Sequence, residues 1–380
     1  MLQLRGTLCE KSFIVALATL AATASFAQSS VEIWGVVDAG VQNVSQGGLS
    51  KTQMTTSGNS SSQLGFRGVE DLGGGLKAAF WMEGALTNDN GTSAGLSFGR
   101  RSTLDLAGNF GAIRLGRDYT PTFWNHTVFD PFGTLGSGAG SNITGVGTNG
   151  TTGARSSNGV SYLYGIAANG NSHALGSQGL YAQVTHAFGE QLSTAAAQTS
   201  QYQGIRVGYA AGPLNIAVAT ANVVAAAGKK DKEFNVGASY DLGVANVMVK
   251  FGSNECTVAA VGTSCGSTTA TANVNAIAPA KYSWTSIGAK IPMGAGFIPV
   301  SFNTGKNDAN TQKGTQIAIG YVHNLSKRTA LYTTASKITN DNGGVYTFNG
   351  GNGGFGGGLT TATIAGKNGT GYDIGLRHSF

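Results

Sequence analysis

Charge is scarce in this sequence: only 11% of its 380 residues are Asp, Glu, Lys or Arg, against about a quarter in an ordinary soluble protein. So little charge is hard to reconcile with a large water-facing surface. The formal net charge of +6 is spread along the chain without a basic run, which counts against nucleic-acid binding, where positive charge is concentrated in a patch or stripe. Proline is also scarce, at 6 residues, and no Pro-rich or charged linker divides the chain into domains. Long apolar runs are missing: the best, "FIVALATLAA" (Phe13 to Ala22), falls well short of the roughly 18 to 20 residues that a membrane helix requires.

That short run is better read as part of an address. Arg5 and Lys11 supply a positive start, the apolar core follows, and "SFA" closes on small Ala27, which is the pattern of an export signal peptide. The expected organisation is therefore a signal peptide over 1–27 and a single domain over 28–380. Cysteine is rare too. Of three, Cys9 falls in the signal peptide, leaving Cys256 and Cys265 in "NECTVAAVGTSCGS". In an oxidising compartment two cysteines around a small polar loop are expected to form a disulfide, the alternative being two unpaired thiols. Two thiolates without neighbouring ligands do not make a metal site.

Glycine is plentiful, at 60 residues, and the prevailing hydrophobic period beyond the leader is two. In "VEIWGVVDAGV", Val31, Ile33, Val37, Ala39 and Val41 share one face, and Glu32, Trp34 and Asp38 the other. The pattern recurs across tight turns: "QLGFRGVE" through "DLGGG" into "LKAAFWME", "RSTLDLAG" through "NFG" into "AIRLGRD", and "EFNVGASYDLG" into "VANVMVKFG". Between the paired strands lie long polar stretches, at 43–61, 86–96, 120–153, 190–203, 224–231, 253–280, 304–312 and 340–368. The count of strands is about sixteen, with Tyr162 to Gly179 readable either as an enlarged turn or as two further strands.

Strands of about ten residues, alternating in polarity, with short turns at one end and long loops at the other, are the signature of an all-β transmembrane antiparallel barrel. In lipid every backbone N–H and C=O must be paired within the protein, so a sheet can enter only if it closes. Closure accounts for the C-terminus: "GTGYDIGLRHSF" alternates to its final residue, and that strand must pair with the first, with Phe380 at the membrane rim. A soluble sandwich also alternates, but low charge, one-sided long loops and the strand count argue against it. No fixed repeat supports a solenoid.

"VEIWGVVDAG", "SQLGFRGVEDLGGGLKAAFWME", "GRRSTLDLAGNFGAIRLGRDYTP", "DPFG", "LSKRTALY" and the terminal "YDIGLRHSF" together resemble the general diffusion porins of Gram-negative outer membranes. The resemblance implies a sixteen-stranded barrel that assembles as a homotrimer in the outer membrane, amid outer-membrane lipid and lipopolysaccharide. It implies passage of small hydrophilic solutes and ions, a third loop folded inward to narrow the pore, and a terminal Phe380 read by the barrel assembly machinery.

Strand parity assigns side chains to faces. Leu64 and Phe66 face lipid, so Arg67 points inward; Lys77, Trp81 and Glu83 point inward opposite Leu76, Phe80 and Met82. Arg101, Thr103 and Asp105 lie inside, as does Arg114, and Arg155 is inside if Val160 and Tyr162 face lipid. The resemblance makes 120–153 the constriction loop, with Asp130 as its pore-facing charge opposite Arg67, Arg101 and Arg155. Opposed charges across a narrow passage would screen solutes by charge and dipole, and the excess of inward Arg predicts weak anion preference. Arg117 falls on the outer face by the same count, where a lipid-exposed Arg is costly at the membrane midplane. Either it lies high, near the headgroups, or protein covers it; a neighbouring subunit is the expected cover, with Asp89 a candidate partner.

No catalytic constellation is present. The five His residues, 126, 173, 186, 323 and 378, are scattered, and the Gly-rich "GGNGGFGGG" lacks the Lys-Ser/Thr of a phosphate loop. No cofactor is expected. A passive pore is the leading reading; a substrate-preferring channel, a rim-located barrel enzyme and a surface adhesin are the alternatives.

Overall fold

The computed structural model describes residues 30–91, 97–144, 153–166, 179–190, 192, 201–226, 229–258, 264–265, 276–277, 280–307, 312–348 and 361–380. The expected leader, 1–27, and the "GGNGGFGGG" stretch lie outside the described residues, as do the side chains of Cys256 and Cys265.

Nineteen strands run in chain order: β1 (Ser30–Gln46), β2 (Leu49–Thr56), β3 (Gln63–Gly73), β4 (Leu76–Ala85), β5 (Arg101–Gly108), β6 (Gly111–Tyr119), β7 (Arg155–Tyr164), β8 (Gly179–Ala187), β9 (Gln201–Ala211), β10 (Leu214–Ala226), β11 (Lys229–Asp241), β12 (Asn246–Val258), β13 (Ser264–Cys265), β14 (Ala276–Ile277), β15 (Ala280–Met293), β16 (Gly296–Asn307), β17 (Lys313–Asn324), β18 (Thr329–Asp341) and β19 (Gly369–Ser379). The pair β13 and β14 forms a small ribbon of its own. The others pair antiparallel in chain order, except that β2 and β3 both pair with β1 and not with each other and β12 meets β15, and β19 closes on β1 from Val36↔Ser379 to Gln46↔Gly369. Because β2 pairs with the second half of β1 and β3 with the first half, β2 and β3 are one stave broken at 57–62. The result among the described residues is a closed antiparallel barrel of sixteen staves.

The faces follow the parity read from the sequence. On β1, Ile33 is 62% exposed whereas Asp38 is fully buried; on β5, Leu104 and Leu106 are outside while Arg101, Thr103 and Asp105 are buried on the inner face. No helix among the described residues is long and apolar enough to cross a membrane; the strands carry the apolar outer band.

Several boundaries differ from the sequence reading; β9 starts at Gln201 and β16 runs to Asn307, each inside a stretch expected as loop. Residues 43–46 and 49–56, expected as loop, continue β1 and form β2 around a turn at 47–48. Likewise β10, β11 and β12 extend well into 224–231 and 253–258. Most residues of β2, and 253–255 of β12, are polar in sequence, so the hydrophobic alternation disappears there although the backbone ladder continues. In the ambiguous stretch, β7 pairs directly with β8, so among the described residues no further stave comes between these two in the barrel.

Candidate pore-lining site

The chain between β6 and β7 is held by a network of inner-face side chains. Helix α1 (Pro121–Val128) begins at Thr120, whose side chain accepts from Phe123 N, with Pro at the first helical position where its missing N–H costs nothing. Thr122 Oγ1 donates to Glu233 on β11 at 2.6 Å, Asn125 Nδ2 donates to Asn235 Oδ1 at 2.9 Å, and Arg206 Nε on β9 donates to Asn125 Oδ1 at 2.6 Å. Farther along, Ser137 N and Oγ donate to the Asp373 carboxylate on β19 at 2.6 and 2.9 Å, and Gln316 on β17 donates to Ser137 O at 2.7 Å. A second short helix, α2 (Ser141–Thr144), packs Ile143 against Tyr282, whose hydroxyl donates to Ile143 O. Val345, Tyr346 and Phe348, from the chain between β18 and β19, join the same apolar cluster.

Asp130 corrects the sequence reading. Its expected place is opposite Arg67, Arg101 and Arg155 across the passage; it is buried instead, with Oδ2 2.9 Å from Lys250 Nζ and both side chains at 0% exposure. The carboxylate also accepts from Phe132 N at 2.9 Å and Gly140 N at 3.0 Å, and Lys250 donates to His126 O at 2.9 Å. Asp130 therefore ties the segment to β12. Burial, and then the Lys250 ammonium, hold the His126 imidazole well below its ordinary pKa.

The expected basic wall divides into three places. Arg67 is on the inner face but bonded to Glu32, 2.7 Å away, and lies over Trp34 and Trp81. Lys77, with the expected parity, is exposed and pairs in register with Asp71 and Ala107. Arg101, Asp105, Arg114 and Asp118 make a buried, charge-balanced cluster: Arg114 reaches Asp105 at 2.8 Å and Asp118 at 2.6 Å, and Arg101 lies 3.8 and 3.7 Å from the same two carboxylates. Two arginines and two aspartates cancel, so this cluster adds little net field to the lumen.

A cavity of about 410 Å³ gathers Glu83, Arg100, Tyr119, Phe123, Trp124 and Arg155, with Ser57, Ser60 and Ser61 across from them. Arg100 Nε is 2.5 Å from Glu83 Oε1, and Trp81 Nε1 donates to the other carboxylate oxygen at 3.1 Å. Arg100 and Arg155 both donate to the Tyr119 hydroxyl, at 2.6 and 2.8 Å. Arg155 has no salt bridge among the described residues, and its Nε finds no hydrogen-bond acceptor there. The serines lie on the 57–62 break, which Asp38 organises: its carboxylate accepts from Asn59 N at 2.9 Å, Ser60 N at 2.6 Å and Tyr332 OH at 2.6 Å.

Sequence reasoning selects Arg101 from "GRRS" and misses Arg100, because β5 begins at Arg101 and strand parity does not extend to the residue before it. Lys250 was legible: Val247, Val249 and Phe251 face outward, so Lys250 had to face inward. On the outer face, Arg117 donates to Gly99 O at 2.6 Å and Ser157 Oγ at 2.7 Å, while Asp89 is exposed.

A family model described as Gram-negative porin matches residues 14–343. Outer membrane porin protein 32 of Delftia acidovorans is 36% identical over 387 residues, covering 97% of this chain and 100% of that protein. An outer membrane porin protein of Bordetella pertussis is 28% identical over 372 residues, covering 87% and 94%. Among solved structures, an anion-selective porin from Comamonas acidovorans matches with a TM-score of 0.77 at 34% identity, over 93% of this chain and 100% of that one. The trimer form of OmpT from Vibrio cholerae matches at 0.63 and 15% identity, over 93% and 99%, a likeness of fold alone.

Proposed function

The chain belongs to the Gram-negative porin family, and on that premise we propose that its barrel is an outer-membrane channel for passive diffusion of small hydrophilic solutes and ions, with weak preference for anions. It is a channel rather than an enzyme. The observation that carries the anion preference is Arg155: a guanidinium in the 410 Å³ cavity without a carboxylate partner among the described residues. Glu83 neutralises its neighbour Arg100, and the Arg101–Asp105–Arg114–Asp118 cluster balances itself, so Arg155 supplies the uncompensated positive field that an entering anion meets.

In this reading the segment 120–144 crosses the lumen and narrows it, since its bonds run to the inner faces of β9, β11, β12, β17 and β19. The working unit is a homotrimer in which Arg117 lies at the subunit contact near Asp89 of the partner subunit. Residues 1–27 direct export, Phe380 is read by the barrel assembly machinery, lipopolysaccharide surrounds the outer rim, and Cys256 and Cys265 form a disulfide.

Single-channel recording in a planar bilayer under a KCl gradient tests the reading. Conductance steps in threes with a reversal potential favouring chloride are expected, and Arg155→Gln should move that potential toward zero. A cation-favouring potential overturns the charge assignment; a folded, inserted protein without conductance overturns the channel.

A further inference from the structure

Resting on the channel reading above, we propose that the cavity beside Arg155 is a subsite for aromatic carboxylates, the carboxylate meeting Arg155 and the flat ring stacking on Phe123. Three observations converge. The first is the unpaired guanidinium: Arg155 lines the cavity 4.3 Å from the Tyr119 ring centroid, spends Nη2 on the Tyr119 hydroxyl, keeps Nε buried, and has no carboxylate partner among the described residues, so its remaining Nη1 edge is the one a solute can meet. A carboxylate is the group whose geometry matches a guanidinium edge.

The second is aromatic surface where a wet passage would be expected to present polar groups. Tyr119 stacks on Phe123 at 5.3 Å and 14°, and Trp124 tilts against Tyr119 at 4.7 Å. Tyr119 and Trp124 are buried and form the base of this stack, but Phe123 is only half-buried and lines the cavity. A half-covered ring beside a guanidinium offers a π face to a solute already held by its charge. Aliphatic acids of the same size can use the charge but not the stacking.

The third is the opposite lip. The ladder between β1 and its neighbour is interrupted at 57–62, with Ser57 at φ 79°, and the break is built around the buried Asp38. It brings Ser57, Ser60 and Ser61 to the cavity, where hydroxyls can donate to the second carboxylate oxygen or to a ring hydroxyl. A cavity of about 410 Å³ is of the size that accommodates one small ligand.

The test compares benzoate with cyclohexanecarboxylate, equal in charge and close in size but differing in the π face, as blockers of chloride current through the trimer in planar bilayers. Benzoate is expected to reach half-block at a concentration about three- to tenfold lower. In Phe123→Leu, with each current normalised to that variant's own chloride conductance, the ratio should fall to near one; in Arg155→Gln both acids should lose block. Equal block by the two acids in the parent protein, or an undiminished ratio in Phe123→Leu, overturns the subsite. Should Phe123→Leu fail to fold, the parent ratio and Arg155→Gln decide alone. The chloride reversal potential, read from the same bilayers, reports on the channel reading separately, so either can fail without being mistaken for the other.

Discussion

Gly35 and Phe380 exchange both of their backbone hydrogen bonds, Gly35 N to Phe380 O at 3.1 Å and Phe380 N to Gly35 O at 3.0 Å, and the Phe380 ring lies where a Cβ on Gly35 would be. The last residue of the chain thus seals the final rung of the barrel seam and covers a glycine on the first strand. Gly35→Val should displace the ring and destabilise the folded barrel by about 1 to 3 kcal/mol, the usual cost of overpacking. The readout is the urea midpoint of the refolded protein; an unchanged midpoint would show that the ring is free to move.

Lys250→Met leaves the Asp130 carboxylate buried without its cation. Breaking a buried pair from one side costs about 3 to 5 kcal/mol, here concentrated on the segment 120–144 rather than on the strands. Raised, noisier conductance and new protease cleavage within 120–144 are expected, and Asp130→Asn in the same protein should restore part of the protection. Unaltered conductance would detach this pair from the pore.

Arg101 and Arg114 belong to one cluster but should respond differently. Arg114 is bonded to both aspartates at 2.6 to 2.8 Å, Arg101 to neither closer than 3.7 Å. Arg114→Met should cost about 3 to 5 kcal/mol of stability, whereas Arg101→Gln should cost less and shift reversal potential less than Arg155→Gln does. A larger shift for Arg101→Gln would restore it as a pore charge.

Acid should loosen the docked segment through His126. Its ring packs on Trp284 at 4.7 Å between the segment and β15, with Lys250 and Asp130 as the charged neighbours. Its pKa is depressed when docked, so the released state binds more protons below the ordinary value of about 6.5. Docking stability is full above that pH and falls by up to about 1.4 kcal/mol per unit below it. Current fluctuations should rise between pH 6.5 and 4.5, and His126→Phe should abolish the rise.

In the proposed trimer, Arg117→Ala should lower the temperature at which the assembly dissociates on a gel without shifting reversal potential. An unchanged dissociation temperature would leave Arg117 with only its bonds to Gly99 and Ser157 within the chain.

One-dimensional pattern was enough for the closed barrel and for the face of each strand residue. Alternation is a local property of successive side chains, and lipid permits only one way to satisfy a sheet's backbone. Hence Ile33, Leu104 and Leu106 outside, Asp38, Glu83 and Asp105 inside, and a C-terminal strand meeting the first are all legible before any coordinates. Where the sequence turns polar, as along most of β2 and at 253–255 of β12, the alternation vanishes and strand reads as loop.

Which inner charges are already spent is settled in three dimensions. Parity places Arg67, Arg101 and Arg155 alike on the inner wall, but whether each has a carboxylate within reach depends on distances across strands and on where the 120–144 segment lies. Glu32 takes Arg67, the aspartates of β5 and β6 surround Arg101, and Lys250 on a distant strand takes Asp130 out of the passage. These pairings join residues up to 120 positions apart, and electrostatics in a low-dielectric interior depends on separation in space, which strand periodicity does not encode.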